Sequence, residues 1–150
     1  KQQQDKVGSE LLSRYVEAMA EVLNADRDIY QARLAKQKIV NQHGELAQNQ
    51  KLFEENAAQV IRRFNSYRSY LIDEPQLTQK YANFDQLYQQ WYEKGKALVY
   101  SSSANQIALI DDNLAQADKS FNELREILDI AGEEARTYAR KVKHEVQASI

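Results

Sequence analysis

A stripe of apolar residues runs through the last third of the chain at alternating steps of three and four positions. Its members are Ile107, Ile110, Leu114, Ala117, Phe121, Leu124, Leu128, Ala131, Ala135, Tyr138 and Val142. A mean step of about 3.5 residues keeps one side of a helix facing a partner helix. The pattern therefore predicts a long bundle or coiled-coil helix, and earlier parts of the chain repeat it.

Breaks in the pattern divide the chain into four predicted helices, at about 5–42, 46–72, 74–100 and 103–149. Gly44 suits the left-handed position after the first helix. Asp73 with Gln76, and Ser103 with Gln106, form capping boxes before the third and fourth helices. Short connections favour antiparallel neighbours, so we predict one domain over 1–150: an all-α, antiparallel, up-down-up-down four-helix bundle.

The predicted first and last helices are longer than the middle two. At 1.5 Å per residue they overhang the short pair by about 20 Å, at the end that holds both chain termini. Two stalks leaving one end of a bundle are what a domain held between two membrane spans would need. Within the third helix, Gly95 occupies a stripe position and predicts a close approach of a neighbouring helix.

The first helix carries two apolar stripes whose centres lie about 100° apart around its axis. The first stripe, expected to face the bundle, contains Leu12, Val16, Met19, Leu23, Tyr30 and Leu34. The second contains Leu11, Tyr15, Ala18, Val22, Ala25, Ile29 and Ala32. One bundle uses one stripe, so the second stripe favours a homodimer through helix one. The alternative is a wide surface that faces the core throughout.

Composition narrows the class of protein. The formal charge is −2 with acids and bases interspersed, which disfavours nucleic-acid binding. Cysteine is absent, and no Glu-x-x-His pair is present for a di-iron bundle, so we expect no metal, no cofactor and no enzyme activity. The chain starts with Lys1, carries no signal peptide and has no apolar run of the roughly 20 residues that span a bilayer, which indicates an excised or processed fragment.

The second half of helix one places polar residues among the stripe positions, namely Asp26, Gln37 and Asn41, with Arg27 and Arg33 on the flanks. Buried charges persist only when they are paired or hydrogen-bonded. One reading is a structural ion pair of Asp26 with Arg33, or with Arg62 or Arg63 on helix two. The other is a polar cavity that holds an anionic ligand through guanidinium groups.

The segment Leu23–Ala32, LNADRDIYQA, resembles a segment on the first helix of the four-helix-bundle ligand-binding domains of bacterial methyl-accepting chemotaxis proteins. The resemblance implies a periplasmic domain of an inner-membrane protein, placed between two transmembrane helices. It also implies a homodimer through helix one and a small-molecule site near the dimer interface. Ligand binding then moves the last helix slightly toward the membrane.

The ligand site that the resemblance implies is matched at only two of its three basic positions. Arg27 and Lys36 match the first and third of three ligand-clamping arginines, whereas Ala32 stands at the middle position and Arg33 follows it. The full set of expected ligand residues is Arg27, Arg33, Lys36, Asp26, Tyr30, Tyr88 and Trp91. Tyr88 and Trp91 fall near the level of Arg27 along the bundle and could wall a pocket there, and the simpler alternative is that these two aromatic residues at heptad spacing belong to the core.

The expected function is an extracytoplasmic ligand-sensing domain of a transmembrane chemoreceptor that takes part in chemotaxis signal transduction. Its partner would be a small molecule, anionic or otherwise, or a periplasmic binding protein. The alternative is a helical protein-interaction scaffold, or the sensor bundle of a histidine kinase, without a small-molecule pocket.

Overall fold

A computed structural model describes the backbone of residues 2–101 and 107–148, and the side chains of residues 6–101 and 114–148. The helices are α1 (Gln2–Val40), α2 (Leu46–Tyr70), α3 (Pro75–Thr78), α4 (Phe84–Val99) and α5 (Ile107–Ala148), with a 3₁₀ turn at Gln79–Tyr81. The described residues contain no strand, which confirms the prediction of an all-α bundle with long first and last helices. The predicted capping box of Ser103 and Gln106 involves residues outside the described ranges.

Polar contacts between neighbouring helices fix how they are aligned. They are Arg14–Asp73 and Asp28–Arg63 beside α1 and α2, Asp26–Arg125 and Arg33–Asp118 between α1 and α5, and Gln50–Val99 and Tyr88–Ala57 between α2 and α4. In each pair of helices the residue numbers rise along one helix as they fall along the other. Contacts also join α4 to α5, which closes the four-helix arrangement around one core.

Aromatic rings fill the core between α2 and α4. Phe64 stacks on Phe84 with ring centroids 3.7 Å apart, and Phe53 packs against Trp91 with centroids 6.0 Å apart. A Cβ atom on Gly95 would lie 2.8 Å from Cζ of Phe53, so only glycine leaves room for this ring. The predicted close helix approach at Gly95 is confirmed.

The assignment of the two apolar stripes of α1 is wrong, because the stripes exchange roles. The stripe predicted to form a dimer interface lies in the core of the single chain: Tyr15, Ala18, Val22, Ala25, Ile29 and Ala32 are all buried, and Leu11 is partly buried. In the stripe predicted to face the bundle, Val16, Leu23, Tyr30 and Leu34 are 42–56% exposed, whereas Leu12 and Met19 are intermediate.

The physical reason is the spacing between α1 and its two neighbours. Alanines at positions 18, 25 and 32 let α2 and α5 approach the backbone of α1 closely, and small residues permit such packing at little entropic cost. Bulkier Leu and Tyr side chains then remain outside. The sequence interpretation had placed the stripe with the larger side chains inside.

The third predicted helix is interrupted after its first turn, where Gln79–Tyr81 forms a 3₁₀ turn before α4 begins at Phe84. Arg68 on α2 stabilises this interruption, since its guanidinium donates to the Tyr81 carbonyl at 3.1 Å and to the Asp85 carboxylate at 2.9 Å. The turn also brings Lys80 and Tyr81 onto Glu134 of α5. Such tertiary contacts leave no periodic signature, so the sequence predicted one continuous helix.

The predicted capping box at the start of the third helix is also wrong. Glu74 is the N-cap residue of α3 and makes no side-chain capping hydrogen bond. Asp73 instead accepts from Arg14 of α1 at 3.1 Å. The turn between α2 and α3 is therefore attached to α1 by an ion pair.

The end of α1 has the hydrogen bonds of a Schellman motif. The amide of His43 donates to the Lys38 carbonyl at 2.8 Å, and the amide of Gln42 donates to the Ile39 carbonyl at 3.1 Å. The left-handed residue of this motif is Gln42, with φ of 57°, whereas Gly44 follows in the loop with φ of 75°. The predicted helix end is correct to within two residues, but Gly44 is not the capping residue.

Replacing Gln42 with glycine is therefore expected to raise the free energy of unfolding by about 1 kcal/mol, because a side chain in the left-handed region costs roughly that amount. Urea denaturation followed by circular dichroism measures the change. The control is Gln31→Gly, at an exposed position inside α1, which should lower stability by about 1 kcal/mol. A loss of stability in Gln42→Gly would contradict the assignment of the cap.

At the other end of the bundle, α1 and α5 continue together beyond the turn between α2 and α3. The level of that turn is marked by the contact of Arg14 with Asp73, and there Tyr15 stacks on Tyr138 with centroids 5.8 Å apart. Further out, a Cβ on Gly8 would lie 2.5 Å from Val146 Cγ2, so the two helices remain in contact. We call this pair, residues 2–13 and 139–148, the two-helix stalk.

No helix in the described ranges is both long and apolar enough to cross a membrane.

Candidate functional site

Asp26 binds Arg125 of α5 through two parallel contacts. The Arg125 Nε donates to Oδ1 at 2.8 Å and Nη2 donates to Oδ2 at 3.1 Å. The same guanidinium lies 5.7 Å from the ring centroids of Tyr30 and Phe121. Bidentate pairing is the strongest geometry for these two groups. The partner of Asp26 is therefore neither Arg33 nor an arginine of α2, and this ion pair joins α1 to α5.

The buried carboxylate that the sequence interpretation missed is Asp28, whose side chain is 1% exposed. Arg63 Nε donates to Asp28 Oδ2 at 2.7 Å. In the amide orientation that satisfies both groups, the Gln59 nitrogen lies 3.0 and 3.1 Å from the two carboxylate oxygens. Asp28 stands three residues after Ala25 and four before Ala32, and this spacing within the buried stripe is the signal that would have revealed it.

Arg33 and Lys36 lie one turn apart on α1 and carry nitrogen atoms without hydrogen-bond partners. The Lys36 side chain is buried, and neither its Nζ nor Arg33 Nε has a partner among the described residues. Arg33 Nη2 lies 3.7 Å from Asp118 Oδ1 of α5, and its guanidinium carbon is 4.6 Å from the centroid of the Phe121 ring. Arg33 therefore links the C-terminal half of α1 to the N-terminal half of α5.

The electrostatics at Lys36 disfavour its charged form. Burial lowers the pKa of the Lys36 ammonium below its ordinary value, and the Arg33 charge lowers that pKa further, while Asp118 raises it. A buried ammonium without an acceptor is costly because it has lost its hydration. A bound anion would supply acceptors to Lys36 and Arg33 together.

The other predicted ligand residues are not gathered at this place. Arg27 is 58% exposed, and its Nε lies 3.9 Å from Asp28 Oδ1. Tyr30 is 45% exposed, with its ring against Phe121. Tyr88 donates to the Ala57 carbonyl at 2.6 Å, and burial raises the pKa of its hydroxyl to about 12.

Trp91 packs against Phe53 in the core. Tyr88 and Trp91 therefore serve the packing of α2 on α4, as the simpler of the two sequence readings had it.

A second polar place lies between α1 and α2. A cleft of about 320 Å³ is lined by Glu21 of α1 and by Gln59, Arg62, Arg63 and Ser66 of α2. Its inner end meets the ion pair of Asp28 with Arg63. Across the described residues, no group of three or more His, Cys, Asp and Glu side chains could hold a metal ion.

Comparison of the chain with protein-family models, with curated proteins and with solved structures finds no match in any of the three.

Proposed function

We propose that this chain is the extracytoplasmic ligand-sensing domain of a transmembrane chemoreceptor. The observation that carries the proposal is the two-helix stalk, in which α1 and α5 leave the bundle side by side at one end. A domain inserted between two membrane spans needs two such connections. The resemblance of Leu23–Ala32 to chemoreceptor sensor domains supports the same function.

Within this proposal, the ligand binds beside Arg33 and Lys36. Both groups stand on α1, and Arg33 is paired loosely with Asp118 of α5 at 3.7 Å. A ligand that accepts hydrogen bonds from Arg33 Nε and Lys36 Nζ favours the arrangement of α1 and α5 in which these two nitrogen atoms point toward one place. A ligand shifts such an equilibrium only by its differential affinity for the two arrangements, and the stalk passes the shift toward the membrane.

The proposed homodimer uses the stripe of α1 that the bundle leaves uncovered. Leu23 and Tyr30 are 56% and 45% exposed, and Val16 and Leu34 lie on the same face. Large apolar side chains repeated along one exposed helix face are typical of an interaction surface. Met19 within this stripe and Leu12 in the stalk are partly buried.

This exposed stripe also favours the second candidate function, a helical interaction protein or a histidine-kinase sensor bundle that binds a protein partner and no small molecule. The two candidates differ in what Lys36 does. In an interaction protein the exposed stripe carries the affinity, and Lys36 has no ligand. In a ligand sensor, Lys36 and Arg33 are required for the response.

A thermal-shift screen of the domain against organic acids, amino acids and other small metabolites tests the proposal. A ligand at 100 times its dissociation constant adds about 2.7 kcal/mol, which raises the melting temperature by roughly 5–10 °C in a chain of this size. We expect an anionic hit whose shift is lost in Lys36→Met and retained in Arg27→Ala.

The variants separate two pocket positions. Loss of the shift in Arg27→Ala, with Lys36→Met unaffected, would place the ligand outside the α1–α5 contact and would contradict the site assigned to Arg33 and Lys36. A flat screen would favour the interaction protein, whereas Leu23→Glu should disrupt the dimer under either candidate function.

A further inference from the structure

One face of α2 presents a row of hydrogen-bond donors to the cleft beside α1. Gln59, Arg62, Arg63 and Ser66 occupy positions i, i+3, i+4 and i+7 of the helix, which places them on one side, and all of them line the cleft. We propose that this cleft binds a small oxyanion, of the carboxylate or phosphate class, between Arg62 and Arg63. The site is separate from Arg33 and Lys36, and it does not depend on the proposed sensing function.

Contact with α1 already fixes the position of the Arg63 side chain. Its Nε donates to Oδ2 of the buried Asp28 at 2.7 Å, and the Gln59 amide holds the same carboxylate. The Nη1 atom lies 3.8 Å from Glu21 Oε2, which is beyond hydrogen-bond distance. The outer edge of the guanidinium is therefore free to donate, and binding costs little side-chain entropy because the group is anchored at Nε.

Arg62 supplies the second guanidinium. It is exposed at the cleft and makes no ion pair with any residue of the described ranges. Arginine presents a planar fork of donors that matches carboxylate and phosphate oxygens. The Ser66 hydroxyl adds a neutral donor one turn further along α2.

The charges around the cleft leave an excess of positive charge. Arg63 lies between the carboxylates of Asp28, at 2.7 Å, and Glu21, at 3.8 Å. Arg62 in the lining and Arg27, 3.9 Å from Asp28 Oδ1, add two further guanidinium groups. A bound anion would neutralise this excess of positive charge. Glu21 is the one side chain of the lining that repels an anion, so its carboxylate limits the affinity.

The test uses isothermal titration calorimetry of the domain with inorganic phosphate and with malonate, at an ionic strength held constant with sodium chloride. We expect one site per chain. Arg62→Ala should weaken binding by about tenfold or more, the loss of one charge-assisted contact. Glu21→Gln should strengthen binding by several fold, because it removes the opposing charge and keeps the shape of the side chain.

The matched control is Arg140→Ala, an exposed arginine of the stalk, which should leave the affinity unchanged. Binding of phosphate alone or of malonate alone supports the proposal and identifies the source of the oxyanion. The proposal is overturned by the absence of binding with both probes, by equal losses in Arg62→Ala and Arg140→Ala, or by no gain in Glu21→Gln. Lys36→Met should retain this binding, so failure here is distinguishable from failure of the proposed sensing site.

Discussion

Replacing Arg63 with alanine is expected to lower the free energy of unfolding by about 3–5 kcal/mol, the usual cost of breaking a buried ion pair from one side. Asp28 is 1% exposed, and Arg63 is its only cationic partner at hydrogen-bond distance among the described residues. The variant leaves the buried carboxylate with the Gln59 amide as its one partner at hydrogen-bond distance among the described residues, and with Arg27 Nε 3.9 Å from Oδ1. Urea denaturation at neutral pH measures the loss directly.

The control for this variant stands next to it in the sequence. Arg62→Ala removes the same side chain from an exposed position and should change the free energy of unfolding by no more than about 0.5 kcal/mol. The double variant Asp28→Leu with Arg63→Met should recover most of the lost stability, because an apolar pair of similar volume needs no charge compensation. A loss below about 1 kcal/mol in Arg63→Ala would mean that water reaches Asp28 in the folded chain.

Replacing Lys36 with methionine is expected to raise the free energy of unfolding by about 1–3 kcal/mol. The Lys36 ammonium is buried and has no acceptor among the side chains at 6–101 and 114–148, so an apolar side chain of similar length removes a desolvation cost and keeps the packing. The control is Lys51→Met, at a side chain that is 70% exposed, where a change within about 0.5 kcal/mol is expected. Destabilisation of Lys36→Met would show that the ammonium has a partner in the folded state.

The difference in stability between the wild-type chain and Lys36→Met should depend on pH in a defined direction. Burial lowers the pKa of Lys36 in the folded chain, whereas the unfolded chain keeps the proton until about pH 10.5. Between these two pKa values the unfolded state binds more protons, so the stability of the wild-type chain rises with pH relative to Lys36→Met. The advantage of the methionine variant should therefore shrink as pH approaches 10.5. An advantage that stays constant with pH would contradict the lowered pKa.

The heptad spacing was enough to predict the all-α bundle, the longer first and last helices and the close approach at Gly95. It was not enough to say which stripe of α1 faces inward, because α1 packs against two neighbours and its alanines admit them more closely than its leucines could. Hydrophobicity alone ranks the leucine-rich stripe as the core. Packing distance reverses that order.

For the polar contacts, too, the sequence predicted one part and left another open. The sequence indicated that the acidic residues of α1 needed partners, and it named Arg63 among the candidates for Asp26. The structure gives Arg63 to Asp28 and gives Arg125 to Asp26. Because consecutive positions on a helix point about 100° apart, a shift of two residues moves a side chain to a different neighbour. Partner choice therefore depended on helix rotation, which the spacing of apolar residues left open.

Two ion pairs that lie within one turn of α1 have a mechanical consequence. Asp26 is bound to α5 and Asp28 to α2, so within one turn α1 is attached on both sides. When a rigid helix pivots at one level, its two ends move in opposite directions. From residue 27 the distance to Lys36 is about 14 Å and the distance to Gly8 in the stalk is about 28 Å, at 1.5 Å per residue. A sideways displacement of α1 at Lys36 would therefore reach the stalk reversed in direction and about twice as large.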